Sequence, residues 1–140
     1  MKVYFRRLHP DAAIPAYRTE GSAGCDLVSV AGAELFLGRV TLVPCGFSME
    51  FPRFLEAQVR SRSGLALQGI FVANAPGTID SDYRGEVCVL LTTNQAHAYL
   101  PPGSRIAQLL FSPTLRGDFV EVENLSPSER GTSGFGSTGQ

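Results

Sequence analysis

Glu86-Val87-Cys88-Val89-Leu90-Leu91-Thr92-Thr93 is an unbroken run dominated by β-branched residues and leucine, and a polar segment bounded by glycines, Gly77 to Gly85, stands directly before it. A run of that length next to turn residues predicts a strand. Working outward, comparable runs recur at Val3 to Leu8, Cys25 to Val30, Arg39 to Val43, Gly46 to Phe51, Leu55 to Arg60, Gly69 to Ala73, Arg105 to Phe111 and Phe119 to Val122. Glycine and proline punctuate them, which is an all-β spacing. Helical periodicity never lasts more than about two turns, and the nine prolines would interrupt a longer helix. Only Ser63 to Gln68 is expected to form a single helical turn. Short antiparallel strands of this kind build a β-sandwich or jelly roll, whose stacked or closed sheets hide strand edges.

With 140 residues, 44% of them hydrophobic, the chain is sized for one domain with one core. The β domain is expected over residues 1–122. Residues 123–140 form a polar stretch rich in Gly, Ser and Thr, with Phe135 its one aromatic ring, and read as a flexible C-terminal tail. The net charge is −1 and the cations are scattered, so there is no basic stripe to neutralise a nucleic-acid backbone. A polymer partner is not expected. Eleven arginines stand against one lysine, Lys2, a bias that suits forked recognition of phosphate but that genomic base composition would produce equally. Cys25, Cys45 and Cys88 are odd in number and widely spaced, suggesting neither a zinc site nor a disulfide framework. Met1-Lys2-Val3-Tyr4-Phe5-Arg6-Arg7 leads into a strand pattern without an apolar signal core, and no apolar run reaches membrane-spanning length. A soluble, cytoplasmic protein with no membrane contact is expected.

Gly77-Thr78-Ile79-Asp80-Ser81-Asp82-Tyr83-Arg84-Gly85-Glu86-Val87 packs two carboxylates, a tyrosine and an arginine between glycines. Asp80, directly after Ile79, is placed either as a partly desolvated general base or as the acceptor of an acidic turn. Four further segments accompany it: Ala23-Gly24-Cys25-Asp26-Leu27, Arg62-Ser63-Gly64-Leu65-Ala66, Gly103-Ser104-Arg105-Ile106-Ala107-Gln108-Leu109, and the tail from Arg130 to Gly139. In this order and spacing the five segments resemble the five motifs of the homotrimeric dUTPases. Two departures are visible: Ser61 stands where a proline usually precedes Arg-Ser-Gly, and Ser133 where the tail usually carries a second glycine.

The resemblance implies a distorted jelly roll assembled as a homotrimer with active sites shared between subunits. It implies hydrolysis of dUTP to dUMP and pyrophosphate by water attack on the α-phosphorus, which keeps uracil out of DNA and supplies dUMP for dTMP synthesis. Asp80 would be the base that deprotonates that water, with Asp82 structural. Asn74 would read the uracil edge, together with backbone groups at Thr78 and Ile79; an amide carries both the donor and the acceptor this needs. Asn74 is expected on one arm of a hairpin that turns at Ala75-Pro76-Gly77. Cys88 would lie near the same pocket, its alternative being a small core residue. Tyr83 would lie flat under the deoxyribose and leave no room for a 2′-hydroxyl. Arg62, Ser63 and Gly64 would cradle phosphate, joined by Gln108, while Arg105 is read as a structural ion pair. Asp26 would face the water shell of Mg2+, an ion that keeps several waters and binds mainly through substrate phosphates. In the tail, Arg130 would meet the γ-phosphate, Phe135 would stack on uracil, and Gly136 and Ser137 would donate hydrogen bonds to phosphate.

Two other readings compete. The dCTP deaminases share the fold and the trimer but need a carboxylate, usually glutamate, to move protons at the base. An inactive binding jelly roll would have no use for Asp80, Tyr83, Arg130 and Phe135 together.

Overall fold

Alternation of buried and exposed residues every second position, the signature of a strand with one face on a core, runs through the computed structural model, which describes residues 1–134. The strands are β1 (Tyr4–Arg7), β2 (Cys25–Val28), β3 (Ala33–Phe36), β4 (Thr41–Pro44), β5 (Phe47–Glu50), β6 (Leu55–Arg60), β7 (Ile70–Val72), β8 (Gly77–Ile79), β9 (Cys88–Thr93), β10 (His97–Leu100) and β11 (Arg105–Pro113). One helical turn, α1 (Ser63–Ala66), follows β6. The strands form a four-stranded sheet in the order β2-β11-β6-β8, a three-stranded sheet β4-β9-β7, and the pairs β1-β5 and β10-β3. All pairings are antiparallel, and the architecture is a distorted jelly roll.

Leu27, Leu35, Phe47, Ala57, Val89, Leu91, Ile106 and Leu109 form the centre of the core. Phe5 stacks on Phe47 at 4.9 Å between ring centres, and Phe51 meets Phe111 edge-on at 5.3 Å. Burying a side chain such as Leu27 or Phe47 contributes roughly 1.5–3 kcal/mol, so this cluster decides which face of each strand turns inward.

Three expectations need correction. Ala33–Phe36 and His97–Leu100, which lie outside the runs read as strands, are strands that pair with each other. Each is only four residues long and buries few side chains, too little for a periodicity to show in the sequence. Asn74 is not on a hairpin arm: β7 before it pairs with β9, and β8 after it pairs with β6, so Ala75-Pro76 carries the chain from one sheet to the other. Phe119 to Val122 forms no strand, since nothing among the described residues pairs with it, and Phe119 is 99% exposed.

Candidate active site

Asp26, Gln108 and Arg60 stand in one row across β2, β11 and β6. Arg62 follows two residues beyond Arg60, with extended backbone that carries it on past the end of the strand. The row therefore gathers three of the five segments at one end of the sheet. Asp26 Oδ1 lies 3.1 Å from Arg62 Nε, and Oδ2 lies 2.9 Å from Arg18 Nε and 3.4 Å from Arg105 Nη1. The Asp26 side chain is only 11% exposed. Burial pushes its carboxyl upward in pKa, but Arg18, Arg62 and Arg105 together outweigh that and hold it below the ordinary carboxylate value.

Neighbouring bonds fix the rest of the group. Arg62 Nη1 donates to the Arg105 carbonyl at 2.9 Å, and Gln108 Nε2 donates to the Ser61 carbonyl at 3.1 Å. Gln108 Oε1 lies so close to Gly24 that a Cβ there would stand 3.0 Å from it, which gives that glycine its steric reason. Ser63 and Gly64 are exposed at the start of α1, where the first N–H groups to find a helical partner are those of Leu65 and Ala66. The outcome is an anion-seeking corner with three guanidiniums, one carboxylate and one amide.

Asn74, Thr78, Ile79, Asp80, Tyr83 and Cys88 meet elsewhere, around a cavity of about 330 Å³ that Leu42, Glu86, Val87 and Leu90 complete. Thr78 and Ile79 are presented by β8 at the edge of the four-stranded sheet. The Asn74 amide lies against Gly77, where an added Cβ would sit 3.0 Å from Nδ2. The Tyr83 N–H donates to the Asp80 carbonyl at 3.1 Å, which closes the turn, and the Tyr83 hydroxyl donates to the Glu86 carbonyl at 3.1 Å. The ring lies directly on Gly85, and any side chain there would overlap it. Arg84 staples the same turn by donating to the Ser81 and Tyr83 carbonyls at 2.8 and 2.9 Å. Burial, and then the nearby Glu86, push the Cys88 thiol up in pKa, which keeps it neutral against the cavity. Behind it, Cys45 is pushed up to about 12 by burial, with Cys88 and Glu86 adding to the effect.

Asp80 is exposed in the single chain. Asp82 shares a second, polar pocket with Asp80, Arg53, Glu56 and Arg116. Arg130 is exposed in a turn closed by the Ser133 N–H on its carbonyl at 3.1 Å. Phe135, Gly136 and Ser137 lie outside the described residues.

The two clusters do not meet within one chain. Ile79 pairs with Ala57, so Asp80 lies toward Glu56 at the start of β6, whereas Arg62 follows the end of that strand. The stretch from Glu56 to Arg62 spans roughly 20 Å of extended backbone.

Sequence reasoning missed Arg18, Arg84 and Glu86. The Glu86 carboxylate accepts the Gly46 N–H at 2.9 Å and ties the tyrosine segment to the core. Such a contact joins positions far apart in the chain, and no local pattern announces it. Among the described residues no three of His, Cys, Asp and Glu are grouped to hold a metal ion, and no helix is long and apolar enough to cross a membrane.

Known proteins match both the sequence and the fold. The dUTPase family model matches residues 10–139. The deoxyuridine 5′-triphosphate nucleotidohydrolase of Nautilia profundicola is 45% identical to the chain, covering 100% of both. Among solved structures, the Staphylococcus bacteriophage 80alpha dUTPase with dUpNHpp superposes with a TM-score of 0.91 at 22% identity, covering 99% of each chain. A mutant dUTPase from phage phi11 of S. aureus, described with a structural Mg(II) ion, superposes with a TM-score of 0.83 at 17% identity, covering 91% of this chain and 100% of that one. A family match over nearly the whole sequence and a relative of equal length agree with the fold, and the chain belongs to the dUTPase family.

Proposed function

We propose that the chain is a dUTP diphosphatase that acts as a homotrimer, each active site combining the Asp80 cavity of one subunit with the arginine corner of another. The observation that carries this reading is the separation along β6: a nucleotide has base and triphosphate on one short molecule, and no single chain offers both receptors side by side. Threefold symmetry answers this by repeating one heterologous contact three times.

In this reading Asn74 and the backbone of Thr78 and Ile79 pair with uracil. Tyr83, clamped between Gly85 and the Glu86 carbonyl, walls off the position of a ribose 2′-hydroxyl. Cys88 lines the base end. Asp80 takes a proton from water as its oxygen bonds to the α-phosphorus, the bond to the bridging oxygen breaks, and pyrophosphate leaves. Arg62, Ser63, Gly64 and Gln108 hold the phosphate oxygens, and the oxygens' growing charge meets fixed donors. The tail, with Arg130, Phe135, Gly136 and Ser137, closes over the nucleotide and excludes bulk water.

The donor set fits Mg2+ through water. A carboxylate offers about four lone-pair sites, of which the three guanidiniums occupy three, so Asp26 retains one site that would accept a hydrogen bond from a metal-bound water, while the positive charge around it disfavours placing the ion itself there. When bound, Mg2+ supplies neutralisation of phosphate charge. The free thiols of Cys25, Cys45 and Cys88 suit a reducing cytoplasm.

The test is pyrophosphate release with Mg2+ from dUTP, dCTP, dTTP and UTP in parallel. Turnover is expected with dUTP and to fall by orders of magnitude with the other three. Equal turnover of UTP would remove the Tyr83 wall, and ammonia release from dCTP would favour a deaminase.

A further inference from the structure

We propose that Arg18, a residue outside all five motif-like segments, is a binding residue for the nucleotide's polyphosphate, aimed at it by Asp26. The inference rests on the diphosphatase reading for the identity of the ligand, but its geometry stands alone. Arg18 belongs to the irregular loop between β1 and β2, yet its backbone is held in place. The Ala16 carbonyl accepts the Asp26 N–H at 3.4 Å on one side of it. On the other, the Ser22 hydroxyl accepts the Thr19 N–H at 3.0 Å.

The Arg18 side chain reaches Asp26 through Nε alone, at 2.9 Å, the shortest of the three ion pairs on that carboxylate. Both Nη groups have no partner among the described residues, so four N–H donors in a planar fork face outward. Arg62 is spent differently: it is 27% exposed and also bonds a backbone carbonyl, whereas Arg18 is 60% exposed.

Charge supports the same conclusion. Three guanidiniums converge on one carboxylate and leave the corner with a net charge of about +2, which an incoming polyanion would neutralise. A guanidinium fork matches phosphate oxygens two at a time. Arg18 need not leave Asp26 to bind, because the bond it already makes orients the donors that remain. Asp26 is thus the positioning residue for three cations, and Arg18 is the most exposed of them, with four of its five donors open.

The experiment compares wild type, Arg18→Ala and Arg18→Lys in the assembled enzyme. It measures KM and kcat for dUTP, inhibition by inorganic triphosphate, and inhibition by uncharged deoxyuridine. Arg18→Ala is expected to raise both KM and the triphosphate inhibition constant by roughly 10-fold or more, the size of one lost charge-assisted contact. Deoxyuridine inhibition should not change, and Arg18→Lys should recover part of the loss. Values for Arg18→Ala within twofold of wild type would overturn the proposal, as would an equal weakening of deoxyuridine, which would mark a merely structural role. Should wild type fail to turn over dUTP, the diphosphatase reading falls on its own. Calorimetric titration of wild type and Arg18→Ala with inorganic triphosphate then still decides Arg18 by the same threshold.

Discussion

Asp26 and Asp80 are both acidic residues of motif-like segments, and the fold treats them in opposite ways. Asp26 is nearly buried, and three guanidiniums bond its two oxygens. Asp80 is exposed, with no ion pair among the described residues. The first carboxylate is finished in the isolated chain: its partners come from the turn between β6 and α1, from β11 and from the loop before β2, all of the same subunit. The second is unfinished. Its carboxylate stands open to solvent, which suits the proposed base, a group that would have to meet water and substrate in turn. Preorganisation belongs where charge is bound, and openness where a proton must move.

The largest effect expected from breaking this contrast lies at Asp80. Asp80→Asn keeps the shape and removes the base, so kcat for dUTP should fall by roughly 10²–10⁴-fold with KM little changed. Steady-state kinetics on the purified variant decide it, and near wild-type kcat would pass the role of base to another group.

Mixing sharpens the comparison, because it asks whether the two carboxylates of one site belong to different chains. Asp80→Asn and Arg62→Ala trimers, each nearly inactive, should regain activity after subunit exchange. With random exchange about a quarter of the sites would unite an intact Asp80 with an intact Arg62 from another subunit. Exchange verified by mass spectrometry without recovered turnover would place both halves of each site in one chain.

The smallest effect concerns stability. The folded pKa of Asp26 lies below its unfolded value, about 3.9, so its ion pairs stabilise the fold fully above that value. The contribution is lost as pH falls through the lower, folded pKa. Because the guanidiniums are partly open to water, it should not exceed about 1 kcal/mol. Urea unfolding should show Asp26→Asn less stable than wild type at neutral pH, with the gap closing below about pH 4. A gap that stays constant into acid would show that the carboxylate's charge is not what holds the corner.

How much of this could be read in the sequence depended on pattern rather than on element length alone: β1, β2, β4 and β5, four residues each, lie within longer runs that show. β6, β9 and β11 have six to nine residues and alternate long enough to show a period. β3 and β10 have four each and depend on one another, a dependence that exists only after folding. The Asp80 to Tyr83 segment was visible because turn geometry forces polar residues and glycines to cluster. Arg18 was not, since an arginine between Tyr17 and Thr19 carries no local sign that Asp26 will lie beside it. Phe119 to Val122 had the composition of a strand, but composition cannot supply a partner, and among the described residues there is none.

The reach of β6 has a consequence for dosage. If the receptor is split between its two ends and reunited only by assembly, as proposed, catalysis depends on protein concentration as well as on substrate. Dilution below the dissociation constant of the assembly would then dissolve the active sites. A cell holding few copies would then have less than proportional activity, and one that doubles its copies near that threshold would more than double its rate.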